Sequence, residues 1–193
     1  MENLFTGKLV RLGAPTPSVD APLFAKWSRD SEYARLLDTD PPTLMSAKSI
    51  QDEFEKGLED QKGYIFIIHT LAENKQIGFV GLHSFDWANG NGWASIGIGE
   101  REYWGKGYGT EAMMLVLRFA FMELNLHRVS LAVFEFNARA IKSYGKAGFV
   151  IEGREREFMN REGRRWDIIN MGVLRDEWMR REITGIKEIK ETG

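Results

Sequence analysis

The stretch that decides the fold is Glu102–Met113, EYWGKGYGTEAM. Gly105, Gly107 and Gly109 stand at alternate positions, Lys106 lies between the first two, and a helix-forming run follows. Glycine at this density costs backbone entropy unless the chain needs positive φ or a close approach. A tight strand-to-helix turn would account for one glycine well and for three poorly. No Ser or Thr follows Lys106, so the G-x-x-x-x-G-K-[ST] frame is absent, and the spacing is not G-x-G-x-x-G either. What remains is strand, glycine loop and helix N-terminus. That arrangement aims several backbone N–H groups and a positive helix end at one point, which suits a pyrophosphate.

Working outward, 107–124 reads as a long helix. Ala112, Leu115, Phe119 and Met122 share one face, while Met114, Leu117 and Phe121 make it apolar almost all round, the mark of a helix buried against a sheet. Upstream lie three strand-like runs, Tyr64–Thr70, Gln76–Phe85 and Trp93–Gly99, the last two joined by WANGNG, whose Asn-Gly pairs punctuate hairpins. Downstream, Arg128–Phe134 reads as a strand, Asn137–Ala147 as a helix and Phe149–Gly153 as a strand start, before a hairpin turning at Asn160–Gly163. Towards the N-terminus, Lys8–Leu12 reads as a short strand. Pro15 and Pro17 then precede a helix around Ala21–Leu37, and a second follows at Ser49–Glu59, stopped by Gly63. Trp166 and Trp178 are expected to pack the hairpin and a last helix. This order predicts an α/β (α+β) architecture in one domain spanning 1–193, with a charged, frayed tail over about 185–193.

Composition narrows the function. The 193 residues carry a net charge of -2, so no global basic field points to nucleic acid or an anionic membrane. The absence of cysteine excludes disulfides, thiolate catalysis and Cys-ligated metal. His69, His83 and His127 are scattered and form no metal set; His69 and His127 read as structural. MENLFTGKLV has no basic stretch leading into an apolar signal core, and no apolar run reaches membrane-spanning length. The expectation is a soluble cytoplasmic protein.

Trp104–Ala112 (WGKGYGTEA), together with Asn137–Phe149 (NARAIKSYGKAGF), resembles the acetyl-CoA-binding core of the GNAT acetyltransferase superfamily. The likeness runs from about Ile65 to Trp178. It is closest to the branch of ribosomal-protein Nα-acetyltransferases and polyamine acetyltransferases, whose terminal hairpin and helix resemble GRRWDIINMGVLRDEW. In the family loop [Q/R]-x-x-G-x-[G/A], Gly107 and Gly109 fill the glycine slots. Trp104 stands where Gln or Arg is common, so one side-chain contact changes while the backbone amides are kept.

The resemblance implies a GNAT-like fold, a central mixed and mostly antiparallel sheet with splayed strands flanked by helices. It implies acetyl-CoA as co-substrate and no metal. Pantetheine would lie along the WASIGIG strand, with the Ile98 amide holding the acetyl carbonyl; Gly97 and Gly99 suit so close an approach. Lys106, Gly107, Gly109 and Thr110 would meet the pyrophosphate, and Asn137, Ser143, Arg139 and Lys146 the rest of the coenzyme. Tyr144 falls on the family tyrosine that donates a proton to the leaving sulfur. Seven residues separate Asn137 from Tyr144, which places them on one helix face roughly 10 Å apart. Simpler readings stand beside these: Ile98 in the core, Lys106 in water, Asn137 as a helix cap and Tyr144 as a half-buried aromatic.

Amine acetylation also needs a proton acceptor. Glu100, just after the open strand, is the first candidate; His83 and Asp86 are alternatives, and each has an ordinary structural reading. Trp27 and Trp87 would border the acceptor site. The acceptor is a primary amine, a protein N-terminal α-amine of ribosomal-protein type in the first reading and a polyamine or small amine in the alternative. For the latter, Glu32, Asp38, Asp40, Asp52, Glu53 and Glu55 could supply an acidic pocket. A non-catalytic acyl-CoA sensor is the reading from another class, against which the presence of Tyr144 weighs. Monomer and homodimer both stay open.

Overall fold

The computed structural model describes residues 3–60 and 62–181. The expected frayed tail lies outside them. The chain runs β1 (Val10–Gly13), α1 (Pro17–Trp27), α2 (Ser31–Leu37), α3 (Ala47–Asp60), β2 (Gly63–Thr70), β3 (Gln76–Asp86) and β4 (Asn91–Ile98). After a 3-10 turn at Arg101–Tyr103 come α4 (Tyr108–Met122), β5 (Arg128–Phe134), α5 (Ala138–Ala147), β6 (Val150–Arg161) and β7 (Arg164–Leu174). A last helix starts at 175.

All seven strands form one sheet in the order β1-β2-β3-β4-β5-β7-β6. Every pairing is antiparallel except β4 with β5. That parallel pair holds over Asn91↔Arg128, Gly92↔Val129 and Trp93↔Ser130 alone, after which the two strands part. The mixed, splayed sheet expected from the resemblance is therefore present.

α4 is the core helix. Ala112, Met113, Val116, Leu117, Ala120 and Phe121 are all fully buried against the sheet, among Val80, Leu82, Val129 and Leu131. Each large apolar side chain so buried contributes about 1.5–3 kcal/mol. Met114 and Met122 face outward, so the apolar girdle is incomplete there. Glu111, in the first turn, accepts from the backbone N–H groups of Lys8, Leu9 and Val10 and ties β1 to this helix. Trp178 packs on Phe121 with ring centroids 5.5 Å apart, and Trp166 donates to the Arg161 carbonyl within the β6–β7 hairpin.

Three expectations need correction. The helix predicted over Ala21–Leu37 is two helices, because the Asp30 carboxylate accepts from the N–H groups of Glu32 and Tyr33 and starts α2 afresh. Gly63 does not end α3, which stops at Asp60; it opens β2, where a β-carbon would lie 2.6 Å from the Leu82 carbonyl oxygen. The separate strand start and hairpin arm after Phe149 are one strand, β6, bent by bulges between Ile151 and Gly153 and between Glu155 and Met159.

Candidate active site

Where β4 and β5 part, a cavity of about 500 Å³ opens. Ile96, Gly97 and Ile98 line its strand side, the glycine loop and first turn of α4 its second wall, α5 its third, and Tyr33, Leu36 and Leu37 of α2 close it.

The glycine loop makes an anion seat. Gly107 is the N-cap of α4 in the left-handed region at φ 94, where other residues are strained, and it brings no capping side chain. The first bond of the helix runs from Glu111 N–H to the Gly107 carbonyl (3.0 Å). The N–H groups of Tyr108, Gly109 and Thr110 therefore have no carbonyl within the helix to receive them, and the helix dipole adds its positive end. Thr110 Oγ1 and Ser143 Oγ share a hydrogen bond of 2.7 Å that joins α4 to α5 across the cavity wall. Arg139, Lys142 and Lys146 line the same cavity from α5. A row of free amides beside three cations fits a pyrophosphate. Lys106 itself is exposed and is not part of the lining.

The open strand is the second component. Gly99 donates to the Ile77 carbonyl (2.9 Å) across to β3. Strand alternation then turns the N–H and C=O of Ile98 the other way, towards the splay. The Ile98 carbonyl is taken by the indole N–H of Trp104 at 2.6 Å. The Arg139 guanidinium lies 3.8 Å over that indole ring. Trp104 thus fixes the loop to the strand, a role that depends on tertiary geometry and that the sequence did not reveal.

α5 carries the third component. Asn137 caps it, its side-chain oxygen accepting from the Ala140 N–H (3.2 Å), and it faces the cavity as well. Tyr144 lines the cavity half-buried, with its ring against Phe149. Burial pushes its phenol up to about 12, so the hydroxyl keeps its proton throughout the neutral range and can donate it. Ile98, Gly107, Gly109, Thr110, Asn137, Ser143 and Tyr144 are thus brought to one cavity.

Glu100 is placed elsewhere. It is 7% exposed, and its carboxylate accepts from Lys26 Nζ (2.6 Å) and from the indole N–H of Trp27 (2.9 Å). Burial alone would raise its pKa; the bonds from Lys26 and Trp27 outweigh that and hold it below the ordinary carboxylate value. This is a structural anion, outside the cavity lining. Trp27 is buried over Gly99 in support of it, and Trp87 is exposed, stacked on Phe85. Asp86 is committed to its turn, accepting from the N–H and side chain of Asn89.

A second cavity of about 240 Å³ is lined by Glu53, Tyr64, Phe79, His83 and Ser95, among others. It lies beside the first: Phe79 borders it, and a β-carbon on Gly97 would lie 2.8 Å from the Phe79 ring. Loss of solvation lowers the pKa of His83 below the ordinary imidazole value, which favours the neutral ring. Among the described residues, no group of three His, Asp or Glu side chains could hold a metal ion. No helix among them is long and apolar enough to cross a membrane.

Residues 10–150 match the family described as acetyltransferase (GNAT) domain. An uncharacterized N-acetyltransferase of SPbeta prophage origin from Bacillus subtilis is 31% identical over 174 residues, 90% of this chain and 94% of the relative. A spermidine N(1)-acetyltransferase of Vibrio cholerae is 29% identical over 138 residues, 70% of this chain and 78% of its own. Among solved structures, a spermidine N-acetyltransferase from Vibrio cholerae in complex with CoA and spermine superposes with a TM-score of 0.79 at 24% identity, covering 88% of this chain and 98% of that one.

Proposed function

The chain belongs to the GNAT acetyltransferase family and is an acyl-CoA-dependent N-acetyltransferase; we propose that its acceptor is a polyamine or a comparable small aliphatic amine. The observation that carries this reading is the second cavity. It joins one carboxylate, Glu53, to the aromatic rings of Tyr64 and Phe79, a lining suited to an alkyl ammonium chain, and the Phe79 ring on its wall abuts Gly97 of the first cavity. The relatives described as spermidine acetyltransferases support the same choice. The order of the two acceptors drawn from the sequence, with a protein N-terminus first, is accordingly reversed.

Acetyl-CoA supplies the activated acyl group. The chain supplies position, polarity and proton handling. The first-turn amides of α4, with Arg139, Lys142 and Lys146, hold the phosphates. The Ile98 N–H, turned into the splay, faces the carbonyl oxygen where negative charge grows, which is where a fixed donor does most for the rate. The Tyr144 hydroxyl delivers the proton that the departing sulfur needs. On the acceptor side, the neutral imidazole of His83 takes the ammonium proton, directly or through water. Glu100 holds α1 against the end of β4 and leaves the proton alone.

The test is a mass-spectrometric acceptor screen with acetyl-CoA. Spermidine and spermine are expected to gain one acetyl group, and a ribosomal-protein N-terminal peptide none. Acetylation of the peptide alone would restore the other acceptor. Coenzyme binding without transfer to any amine would favour the sensor.

A further inference from the structure

Tyr33 brings an unpartnered polar group to the wall of the first cavity. It is 7% exposed, it lines that cavity, and its hydroxyl is buried without a hydrogen-bond partner. Buried hydroxyls in folded proteins are almost always bonded, so an orphan in the wall of a cavity points to a ligand atom.

The placement is held from both sides. Asp30, which caps α2, is gripped by Arg101, whose bond keeps that carboxyl at about 2, and Arg101 also pairs with Glu32 at 2.7 Å. At the other end of α2, Arg35 pairs with Glu162 at 2.5 Å, and Arg161 donates to the Arg35 carbonyl. The phenol therefore reaches β4 from a fixed helix. It arrives at Gly97, where a β-carbon would lie 2.7 Å from its oxygen. Only glycine at 97 lets the hydroxyl come against the strand backbone, and the next residue is Ile98, whose N–H is turned into the splay.

We propose that the Tyr33 hydroxyl is a second hydrogen-bond donor to the carbonyl oxygen of the bound acyl group, alongside the Ile98 amide. Two donors on adjoining positions of one strand, one from the backbone and one from α2, form a charge-stabilising pair for acyl transfer. Burial raises the phenol above its ordinary pKa, so it stays a donor at working pH. The inference rests on assigning the first cavity to acyl-CoA.

The experiment compares acetyl-CoA with free CoA by calorimetry on the wild type and on Tyr33→Phe, and records the isotope-edited infrared band of the bound [1-13C]acetyl carbonyl. Within the coenzyme the hydroxyl would bond the acyl group and nothing of CoA itself, so Tyr33→Phe is expected to bind CoA as before and to lose about 3–10-fold in affinity for acetyl-CoA. Its carbonyl band should move to higher frequency, and the unliganded variant should melt no lower than the wild type, since a buried unpaired group has been removed. Equal acetyl-CoA affinity and an unmoved band in the variant would overturn the role of Tyr33 while leaving the coenzyme site intact. A wild-type band at the frequency of free acetyl-CoA would overturn it however the variant folds. Absence of binding of either thiol or thioester to the wild type would remove the coenzyme assignment itself.

Discussion

The indole N–H of Trp104 donates to the Ile98 carbonyl at 2.6 Å, and this one bond sets the distance between the glycine loop and the open edge of β4. It satisfies one half of the Ile98 peptide pair and leaves the other half, the N–H, turned into the splay. Replacing Trp104 with Phe keeps a ring for Arg139 to stack on but frees the carbonyl. The expected result is a fold destabilised by about 1 kcal/mol and a several-fold weaker coenzyme affinity, read by thermal melting and calorimetry.

The role proposed for Tyr144 is proton donation to the leaving sulfur. Tyr144→Phe should lower kcat by roughly 10²–10⁴-fold with little change in coenzyme affinity, the signature of a group that acts in the transition state. Because burial raises the phenol to about 12, the wild-type rate should show no loss from this group below pH 10. An unchanged kcat in the variant would reassign the proton to water.

His83 gives a pH signature. Its pKa is lowered by desolvation, so the neutral, proton-accepting form grows in as pH rises through a value below 6.5, the ordinary value for imidazole. The acidic limb of the kcat/KM profile should fall below that point. His83→Gln should remove the limb and lower kcat/KM at least about tenfold. By contrast Glu100→Gln, which removes the negative charge that Lys26 pairs with, should show itself in melting temperature and leave the limb in place.

Gly99 is the tightest packing point beside the site. A β-carbon there would lie 2.0 Å from the Trp27 ring, so Gly99→Ala must displace either the ring or the end of β4. Overpacking of this kind costs roughly 1–3 kcal/mol. The melting temperature should drop by several degrees, and the bond from Trp27 to Glu100 should weaken with it, which tryptophan fluorescence can follow.

The elements that sequence exposed most clearly are those whose information is local. Three alternate glycines ahead of an apolar run define the anion seat and α4 within a dozen residues. Asn137 and Tyr144 share a face because helix periodicity puts them there. The break between α1 and α2 was hidden because Asp30 interrupts a run whose apolar spacing otherwise continues. Glu100 stood well placed in sequence, yet its partners Lys26 and Trp27 come from more than seventy positions away and turn it into an internal anchor. Tyr33 and Trp104 were equally opaque. Each acquires its meaning from a backbone atom of β4 that no spacing rule connects to it.

The three-residue seam between β4 and β5 has a mechanical consequence. Antiparallel hydrogen bonding makes a firm leaf of β1 through β4 and another of β5, β7 and β6, while the seam leaves the leaves joined at one end like the covers of a half-open book. A molecule lodged between them grips both covers, so tight binding and a fixed angle between the leaves are the same event. Hydrogen exchange at the amides of Ile96 and Ile98 should slow when coenzyme binds, and the protection should extend to the margin of β5 across the gap.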